Sequence, residues 1–264
     1  MKHLLIIFLF LVTIVFGQNK YIEVKDIQYY YNSNDEYVKE KCKLDIYYPE
    51  GINNFKTVIW FHGGGLTEGE KEIPERLKNN GFAIVGVGYR LSPKVVAEVC
   101  IEDAAAAVNW VYKNITKYGG DTSKIFLSGF SAGGYLTLML GLDEQRLKKY
   151  GLDCNNLAGL IPFSGQCITH FAIRKERGIK ELTPIIDNLA PLFFVRQKTA
   201  PIVLLTGDRE KELFGRFEEN AYLLRMLKLT GNINCIHYEF QGYGHDILEP
   251  GYPILIEHVI NNKN

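Results

Sequence analysis

Residues 124–140 read KIFLSGFSAGGYLTLML: a short apolar run, a glycine-rich turn around Ser131, and a second apolar run of helical length. Strand, tight turn and helix form the context in which Gly-x-Ser-x-Gly is a nucleophile elbow. Only small residues fit beside a serine held in that strained turn, and the neighbours here are Gly129, Ala132, Gly133 and Gly134. The N-terminus of the following helix favours a developing negative charge. The pattern predicts a nucleophile at Ser131; the alternative is a glycine-rich turn with an incidental serine.

A second glycine-rich segment, His62-Gly63-Gly64-Gly65, directly follows a predicted strand at residues 57–61. Glycines allow a backbone to approach another molecule closely and to present its N–H groups. Acyl-transfer enzymes of one large class gather oxyanion donors in a loop at this place. The segment therefore predicts an oxyanion loop, with a merely flexible loop as the alternative. We expect His62 to brace this loop by hydrogen bonding rather than to take part in chemistry.

A serine nucleophile requires a base, and elimination among the six histidines favours His245. It directly follows a predicted strand, in a loop where Gly242 and Gly244 allow it to reach across the sheet edge toward Ser131. The other histidines lie in the N-terminal segment, the glycine loop, an irregular segment, a strand interior and the last predicted helix: His3, His62, His170, His237 and His258.

Asp208 is the predicted acid that orients this imidazole and stabilises its charged form. It ends the predicted strand that precedes the strand of His245. Because the carboxyl ends of parallel strands meet at one edge of a sheet, Ser131, Asp208 and His245 would come together there. Asp208 as a helix N-cap is the alternative interpretation. Glu210 and Asp246 are weaker substitutes for the acid.

Predicted strands and helices alternate along the chain, which indicates an α/β fold with a mostly parallel central sheet covered by helices on both faces. The predicted strands are 21–31 and 41–48, an antiparallel pair at a sheet edge, followed by 57–61, 82–87, 125–127, 157–163, 202–206 and 233–240. The predicted helices are 73–80, 97–117, 135–142, 214–229 and 253–261. Residues 164–200 break the alternation as a short insertion before the seventh strand, with no clear strand and one or two short helices expected. This insertion either covers the mouth of a site or is a surface excursion.

Residues 1–17 are predicted to be a signal peptide, because a short polar start precedes an apolar run at 4–16 and a small residue, Gly17. The apolar run is shorter than the roughly 20 residues of a spanning helix. A retained N-terminal anchor is the alternative. The prediction places a catalytic domain at 18–264, secreted or periplasmic, without stable membrane insertion once the signal is removed.

Composition narrows the classes of partner. Thirty basic side chains balance thirty acidic ones, so no net field attracts nucleic acid or an anionic membrane. The five cysteines show no C-x-x-C spacing, which argues against a zinc site. Their odd number leaves at least one thiol free or intermolecular, and the sequence allows one disulfide without identifying it. No metal or organic cofactor is expected, and the oligomeric state stays open.

The chain resembles the α/β-hydrolase family and, within it, esterases with an HGGG loop, which include hormone-sensitive-lipase-like and acetylxylan or feruloyl esterase-like members. The motifs that carry the resemblance are, in order, HGGG at 62–65, Tyr89-Arg90, GFSAG at 129–133, Thr206-Gly207-Asp208 and Gly244-His245. The resemblance implies an oxyanion hole built from the backbone N–H groups of Gly63, Gly64 and Ala132. The chain lacks the substantial N-terminal cap of larger lipase-like members, which argues against a long acyl-chain pocket.

Together these features predict a serine carboxylic ester hydrolase with Ser131, His245 and Asp208 as its triad. The expected substrate is a small-molecule or oligosaccharide ester with a short acyl group, such as acetylated or feruloylated carbohydrate. Possible sugar-binding donors in the insertion are His170, Arg174, Lys175 and Arg177, with solvated surface charges as the alternative. Two other functions stay open: an amide hydrolase (arylformamidase or peptidase) on the same fold, and a binding protein without turnover.

Overall fold

The computed structural model describes residues 20–262, which build an eight-stranded sheet with helices on both faces. The signal peptide predicted at residues 1–17 lies outside this range. Between residues 20 and 262, none of the helices combines the length and the apolar character that crossing a bilayer requires.

The sheet has the strand order β1-β2-β4-β3-β5-β6-β7-β8. Its strands are β1 Tyr21–Gln28, β2 Lys43–Pro49, β3 Phe55–Phe61, β4 Ala83–Val87, β5 Gly120–Phe130, β6 Gly159–Phe163, β7 Ile202–Gly207 and β8 Cys235–Phe240. The β1–β2 and β2–β4 pairs are antiparallel, and all other neighbours are parallel. The predicted mostly parallel sheet with an antiparallel edge pair is confirmed. All carboxyl ends from β3 to β8 therefore meet at one edge.

Buried apolar side chains fill both faces of the sheet, which explains why its central strands are solid apolar runs. In β3, Ile59 and Phe61 point into the layer that also contains the interior of the helix at 98–114. Val58 and Trp60 alternate with them and point into the opposite layer, against the C-terminal helix. All four side chains have no exposed surface.

The helices are α1 Glu36–Lys41, α2 Glu98–Asn114, α3 Ala132–Leu142, α4 Glu144–Lys148, α5 Phe171–Glu176, α6 Arg216–Leu229 and α7 Leu248–Asn261. Two of them, α1 and α4, were not predicted because one and a half turns are too short to show helical periodicity. Each is started by an aspartate, Asp35 or Asp143, whose carboxylate accepts backbone N–H groups of the first turn.

The helix predicted at 73–80 is wrong in extent. Only a 3-10 turn, Glu75–Leu77, forms there. Pro74 stands immediately before this turn in a non-helical conformation, and Lys78 directly after it is already extended, with φ −67° and ψ 153°. The helix therefore stops after a single turn, which buries Leu77 beneath the sheet.

The insertion at 164–200 folds back over the carboxyl edge of the sheet rather than projecting from the molecule. It contains α5 and a 3-10 turn, Pro191–Phe194. The Glu176 carboxylate accepts hydrogen bonds from the Ser92 hydroxyl (2.6 Å) and the Ala97 N–H (2.9 Å), which ties α5 to the start of α2. This position favours the interpretation that the insertion covers a site.

All five cysteines are buried and carry free thiols, so none of the disulfides that the sequence allowed is present. Burial raises the pKa of Cys42 and of Cys100 to about 12. Thiols of this kind are inert at neutral pH because the thiolate is the reactive form. The cysteines act as small core residues.

A buried ion pair joins the antiparallel edge of the sheet to α2. Asp103 has no exposed surface and accepts from Arg90 through Nε (2.8 Å) and Nη2 (2.7 Å). It also accepts from the Arg90 backbone N–H (3.1 Å) and from the Tyr30 hydroxyl (2.9 Å). The carboxylate thus holds the segment after β1, the end of β4 and one helix together.

Replacing Asp103 with Asn is expected to lower the free energy of unfolding by about 3 kcal/mol, because the Arg90 charge loses its partner at a site with little access to water. Chemical denaturation measures the change. Glu257→Gln is the matched control, since Glu257 lies exposed on α7. Equal stability of the two variants would show that the Arg90–Asp103 pair does not hold this edge.

Candidate functional site

Ser131 occupies the turn between β5 and α3 in a strained conformation, with φ 54° and ψ −108°. Its backbone N–H donates to the carbonyl of Phe163 on β6 (2.7 Å), which anchors the turn to the next strand. The small neighbours are required by β3: a Cβ at Gly133 would stand 1.9 Å from the Phe61 carbonyl oxygen. The turn therefore raises the serine hydroxyl above the carboxyl edge of the sheet, as the motif predicts.

His245 lies in the loop between β8 and α7, and the structure brings it to Ser131. Its Nε2 is 2.9 Å from the Ser131 Oγ. The loop sits directly on the end of β7, where the Asp208 N–H donates to the Tyr243 carbonyl (2.9 Å). A Cβ at Gly207 would collide with the carbonyl of Gly244, so glycine is needed for this close approach.

The acid beside His245 is Glu212, and the prediction of Asp208 for this position is wrong. The Nδ1 of His245 is 2.6 Å from Oε1 of Glu212, whose side chain is only 1% exposed. The other oxygen, Oε2, accepts from the Ser164 hydroxyl (2.5 Å) and from the Gly207 N–H (2.9 Å). Ser131, His245 and Glu212 thus form a continuous chain of hydrogen bonds.

Asp208 instead faces outward and braces two loops. Its Oδ1 accepts from the Glu210 N–H (2.9 Å), and its Oδ2 accepts from the Gly242 N–H (2.8 Å). The first bond caps the turn that begins at Asp208, which is similar to the helix N-cap role given above as the alternative interpretation of this residue. The second bond ties the loop of His245 to the end of β7. Neither weaker substitute reaches the imidazole: Glu210 is exposed, and Asp246 accepts from the Leu248 N–H at the start of α7.

The displacement of the acid by four residues has a local cause. After β7 the chain makes one helical turn, in which the Asp208 carbonyl accepts from the N–H groups of Lys211 (2.9 Å) and Glu212 (2.8 Å). This turn carries the chain back, so that Glu212 returns over the strand end that Asp208 has left. In the sequence, the available signal was a third acid one turn beyond the strand, next to the apolar pair Leu213-Phe214.

The hydrogen bonds at Glu212 decide its charge. Burial by itself would raise the pKa of this carboxyl, but the donors His245, Ser164 and Gly207 N–H outweigh burial and lower the pKa to about 2. Glu212 is consequently ionised throughout the neutral range. A fixed carboxylate at Nδ1 orients the imidazole and leaves Nε2 free to accept the Ser131 proton.

The HGGG loop lies against the elbow. A Cβ at Gly63 would stand 3.0 Å from the Phe130 ring and 3.3 Å from the Phe130 carbonyl, immediately before Ser131. Gly64 and Gly65 have φ values of 105° and 62°, in the region that favours glycine. Ala132 is the first residue of α3. Gly63 and Ala132 therefore lie next to the turn of Ser131 from two segments, and the oxyanion hole of Gly63, Gly64 and Ala132 stays a prediction.

His62 supports this loop from below. Its ring stacks on Tyr89 with centroids 4.2 Å apart, and its Nδ1 is 2.6 Å from the Gly63 carbonyl oxygen. The Tyr89 hydroxyl donates to the His62 carbonyl (2.8 Å). Burial lowers the pKa of His62 to about 4, so the ring is neutral near pH 7. These contacts match the bracing role expected from the sequence.

Together the residues suit the activation of a hydroxyl nucleophile: a strained serine, an imidazole within hydrogen-bond distance, an ionised acid behind it and a glycine loop beside it. In the range 20–262, His, Cys, Asp and Glu side chains form no group of three or more that could hold a metal ion.

The chain is similar to known proteins in the region of the nucleophile and the glycine loop. The family model BD-FAE matches residues 44–172, just under half of the chain, and this range contains both the HGGG loop and Ser131. Versiconal hemiacetal acetate esterase from Dothistroma septosporum is 26% identical over 213 residues, which are 70% of this chain and 64% of that protein. Carboxylesterase NlhH from Mycobacterium tuberculosis is 32% identical over 101 residues, which are 36% of this chain and 32% of that protein.

Among solved structures, a truncated carbohydrate esterase from gut microbiota matches with a TM-score of 0.73 at 18% identity. The match covers 92% of this chain and 98% of that one, and it establishes the common fold. The chain spans less than two thirds of the length of the curated relatives it matches, from 12% for Drosophila melanogaster glutactin to 64% for the Dothistroma enzyme.

The depressed pKa of Glu212 predicts a specific pH dependence of stability. The carboxyl has an ordinary pKa of 4.5 and a folded-state pKa of about 2. Its contribution is therefore fully present above about pH 5 and is lost as the pH falls from about 4.5 toward 2. The unfolding free energy of the wild type relative to Glu212→Gln should decrease by about 3 kcal/mol over that interval.

Urea titrations between pH 7 and pH 2 measure this difference. Glu210→Gln serves as the control, since Glu210 is exposed and does not contact His245. A wild-type to Glu212→Gln difference that does not change with pH would contradict the assignment of an ionised, hydrogen-bonded Glu212.

Proposed function

We propose that this chain, which belongs to the α/β-hydrolase family and carries its HGGG loop, is a serine carboxylic ester hydrolase. The observation that carries the proposal is the hydrogen-bonded series Ser131–His245–Glu212, with distances of 2.9 and 2.6 Å, at a strained elbow. Two of the curated relatives are named as esterases, which supports this reaction class.

In the first half of the reaction, the Ser131 oxygen attacks the ester carbonyl carbon, and its proton moves to Nε2 of His245. The carbonyl π electrons move to oxygen, and the resulting oxyanion accepts hydrogen bonds from the backbone N–H groups of Gly63, Gly64 and Ala132. Glu212 stays ionised and stabilises the imidazolium through Nδ1.

The tetrahedral intermediate then collapses. The bond between the carbonyl carbon and the alcohol oxygen breaks, and the alcohol leaves with the proton from Nε2, so that an acyl group remains on Ser131. Water repeats the sequence: His245 takes a proton from it, the hydroxide oxygen attacks the acyl carbon, and the Ser131 oxygen recovers its proton as the acid is released.

The assignment of Glu212 as the acid predicts which variants lose most of their kcat. Glu212→Gln should lower kcat for an aryl acetate by at least about a hundredfold, because a neutral amide holds the imidazole in the wrong tautomer and does not stabilise its charge. Asp208→Asn should cost less, about tenfold at most, since Asp208 binds the backbone N–H groups of Glu210 and Gly242 and forms no hydrogen bond with the imidazole. Ser131→Ala is expected to lower kcat at least about a thousandfold and gives the rate that remains without the nucleophile.

Steady-state kinetics on the three variants separates these roles, with circular dichroism to check folding. If Asp208→Asn is more damaging than Glu212→Gln, Asp208 is the acid and the geometry does not represent the working site. If Ser131→Ala retains turnover, or if the wild type cleaves an aryl amide but no ester, the proposed function is wrong. Titration with an organophosphonate counts the reactive serines. It therefore distinguishes an ester or amide hydrolase from a binding protein without turnover.

For the substrate we propose esters with a short acyl group, such as acetylated or feruloylated carbohydrate. The export predicted from residues 1–17 and the absence of a cap at the β1–β2 edge of the described chain support this class. So does the fold similarity to a protein described as a carbohydrate esterase. Two of the four donors expected in the insertion do not add to this support, because His170 is buried and Arg177 pairs with Asp187 (2.5 Å).

This substrate class predicts that acetyl esters are hydrolysed with a higher kcat/KM than esters of eight-carbon acids. It also predicts that an acetylated xylo-oligosaccharide is deacetylated at least as efficiently as a simple aryl acetate. Chromatography of released acetate against a 4-nitrophenyl ester series measures both. Faster cleavage of octanoate, with the oligosaccharide left intact, would contradict this proposal.

A further inference from the structure

A cavity of about 560 Å³ opens between the insertion and the start of α6. Its walls are mainly apolar side chains. Ile168 and Phe171 are buried or partly buried, and four others are exposed: Leu182, Ile186, Leu213 and Phe214. A volume of this size suits a small organic molecule, and apolar walls with a few polar groups are typical of ligand sites.

The cavity lies beside the proposed reaction centre. On one side, Leu213 directly follows the acid Glu212. On the other side, Phe171 reaches the HGGG loop, where its ring end would contact any side chain at Gly65. Gly165 at the back packs on Gly134 in the first turn of α3. If the acyl group is short, as proposed above, the alcohol part of an ester bound at Ser131 is the part long enough to extend into this cavity.

Two arginines in the cavity lining are buried, Arg174 on α5 and Arg216 at the start of α6. Each is only 3% exposed. The Arg174 Nη1 donates to the carbonyls of Glu181 (2.6 Å) and Thr183 (2.7 Å), and the Arg216 Nη1 donates to the carbonyl of Ser164. These bonds use one nitrogen of each guanidinium. The Nε of each is buried without a hydrogen-bond partner among the described residues.

Among the described residues, no carboxylate around the cavity forms an ion pair within 4.0 Å with either arginine. Glu219 accepts from Gln166 and from the N–H groups of Cys167 (2.9 Å) and Ile168 (3.4 Å), and its charge and that of Glu212 act on Arg216 at longer range. Glu181 and Glu218 also line the cavity but are exposed at its mouth. Burial lowers the pKa of Arg216, and the two carboxylates Glu219 and Glu212 act in the opposite direction.

A buried charge without an ion-pair partner is unfavourable, and a guanidinium with spare N–H donors matches a carboxylate in charge and geometry.

We propose that this cavity binds the alcohol part of the substrate, an inference that rests on the proposed ester hydrolysis. Arg174 and Arg216 then recognise a carboxylate at the end of the alcohol part that is farthest from the ester. The preferred substrate is then a short-chain ester of an alcohol or phenol with an apolar body and a terminal carboxylate.

A pair of acetate esters tests this preference: 4-acetoxybenzoate and its methyl ester, which differ in the charge at the end of the ring. Rates are divided by the hydroxide-catalysed rate of each ester to remove their intrinsic difference in reactivity. We expect the wild type to favour the carboxylate in kcat/KM by at least about tenfold, mainly through KM.

Arg174→Met and Arg216→Met should each lower this ratio toward 1. Arg177→Met is the matched control, because Arg177 ends the same helix as Arg174 but is exposed and bound to Asp187; it should leave the ratio unchanged. Ile186→Trp adds a test that spares the arginines: its side chain is 49% exposed, so the fold should tolerate it, and the indole would fill the cavity and lower the ratio.

A binding measurement separates this inference from the proposed function. In calorimetry, Ser131→Ala should bind 4-acetoxybenzoate more tightly than the methyl ester, and adding Arg216→Met should abolish the difference. Binding of the carboxylate without any ester turnover by the wild type would support the cavity assignment and reject the proposed function. Ester turnover with no preference and no carboxylate binding would reject the cavity assignment alone.

Discussion

The close approach of the first turn of α3 to the backbone of β3 is the constraint on which the rest of the site depends. Where the Phe61 carbonyl meets Gly133, no Cβ fits, and this contact sets the height of Ser131 above the sheet. The HGGG loop continues from the same strand, so its position relative to the serine is determined by the same contact. The HGGG loop and the first turn of α3, the two parts of the proposed oxyanion site, are thus both positioned by β3 and cannot shift independently.

The opposite side of the site depends on a carboxylate that joins three segments. Glu212 accepts from the end of β7, from the residue after β6 and from the loop of His245. Ser164, which supplies one of these bonds, adopts a φ of 45° and is also the first residue of the insertion. The geometry of the acid is therefore coupled to the segment that covers the cavity, and Arg216 reinforces this coupling by binding the Ser164 carbonyl.

The sequence was sufficient where a single short-range pattern decides the structure. Alternating polar and apolar residues predicted the two edge strands, and apolar runs predicted the other six. The small residues around Ser131 predicted the elbow, and elimination placed His245 beside it. It was insufficient where the outcome depends on how a turn folds. Asp208 and Glu212 differ by one helical turn, and only the hydrogen bonds to the Asp208 carbonyl decide which carboxylate points inward. The helix predicted at 73–80 was too long because local conformation ends it after Glu75–Leu77, and the helices α1 and α4 are too short to show helical periodicity.

The five buried thiols bear on how the protein can be labelled. None is paired in a disulfide, and none lies at the surface, where a thiol reagent would reach it. A cysteine introduced at an exposed position would be the first thiol available to a maleimide reagent. Fluorophores or spin labels can therefore be attached at chosen points around the cavity mouth without first removing the natural cysteines, which makes movement of the insertion directly measurable.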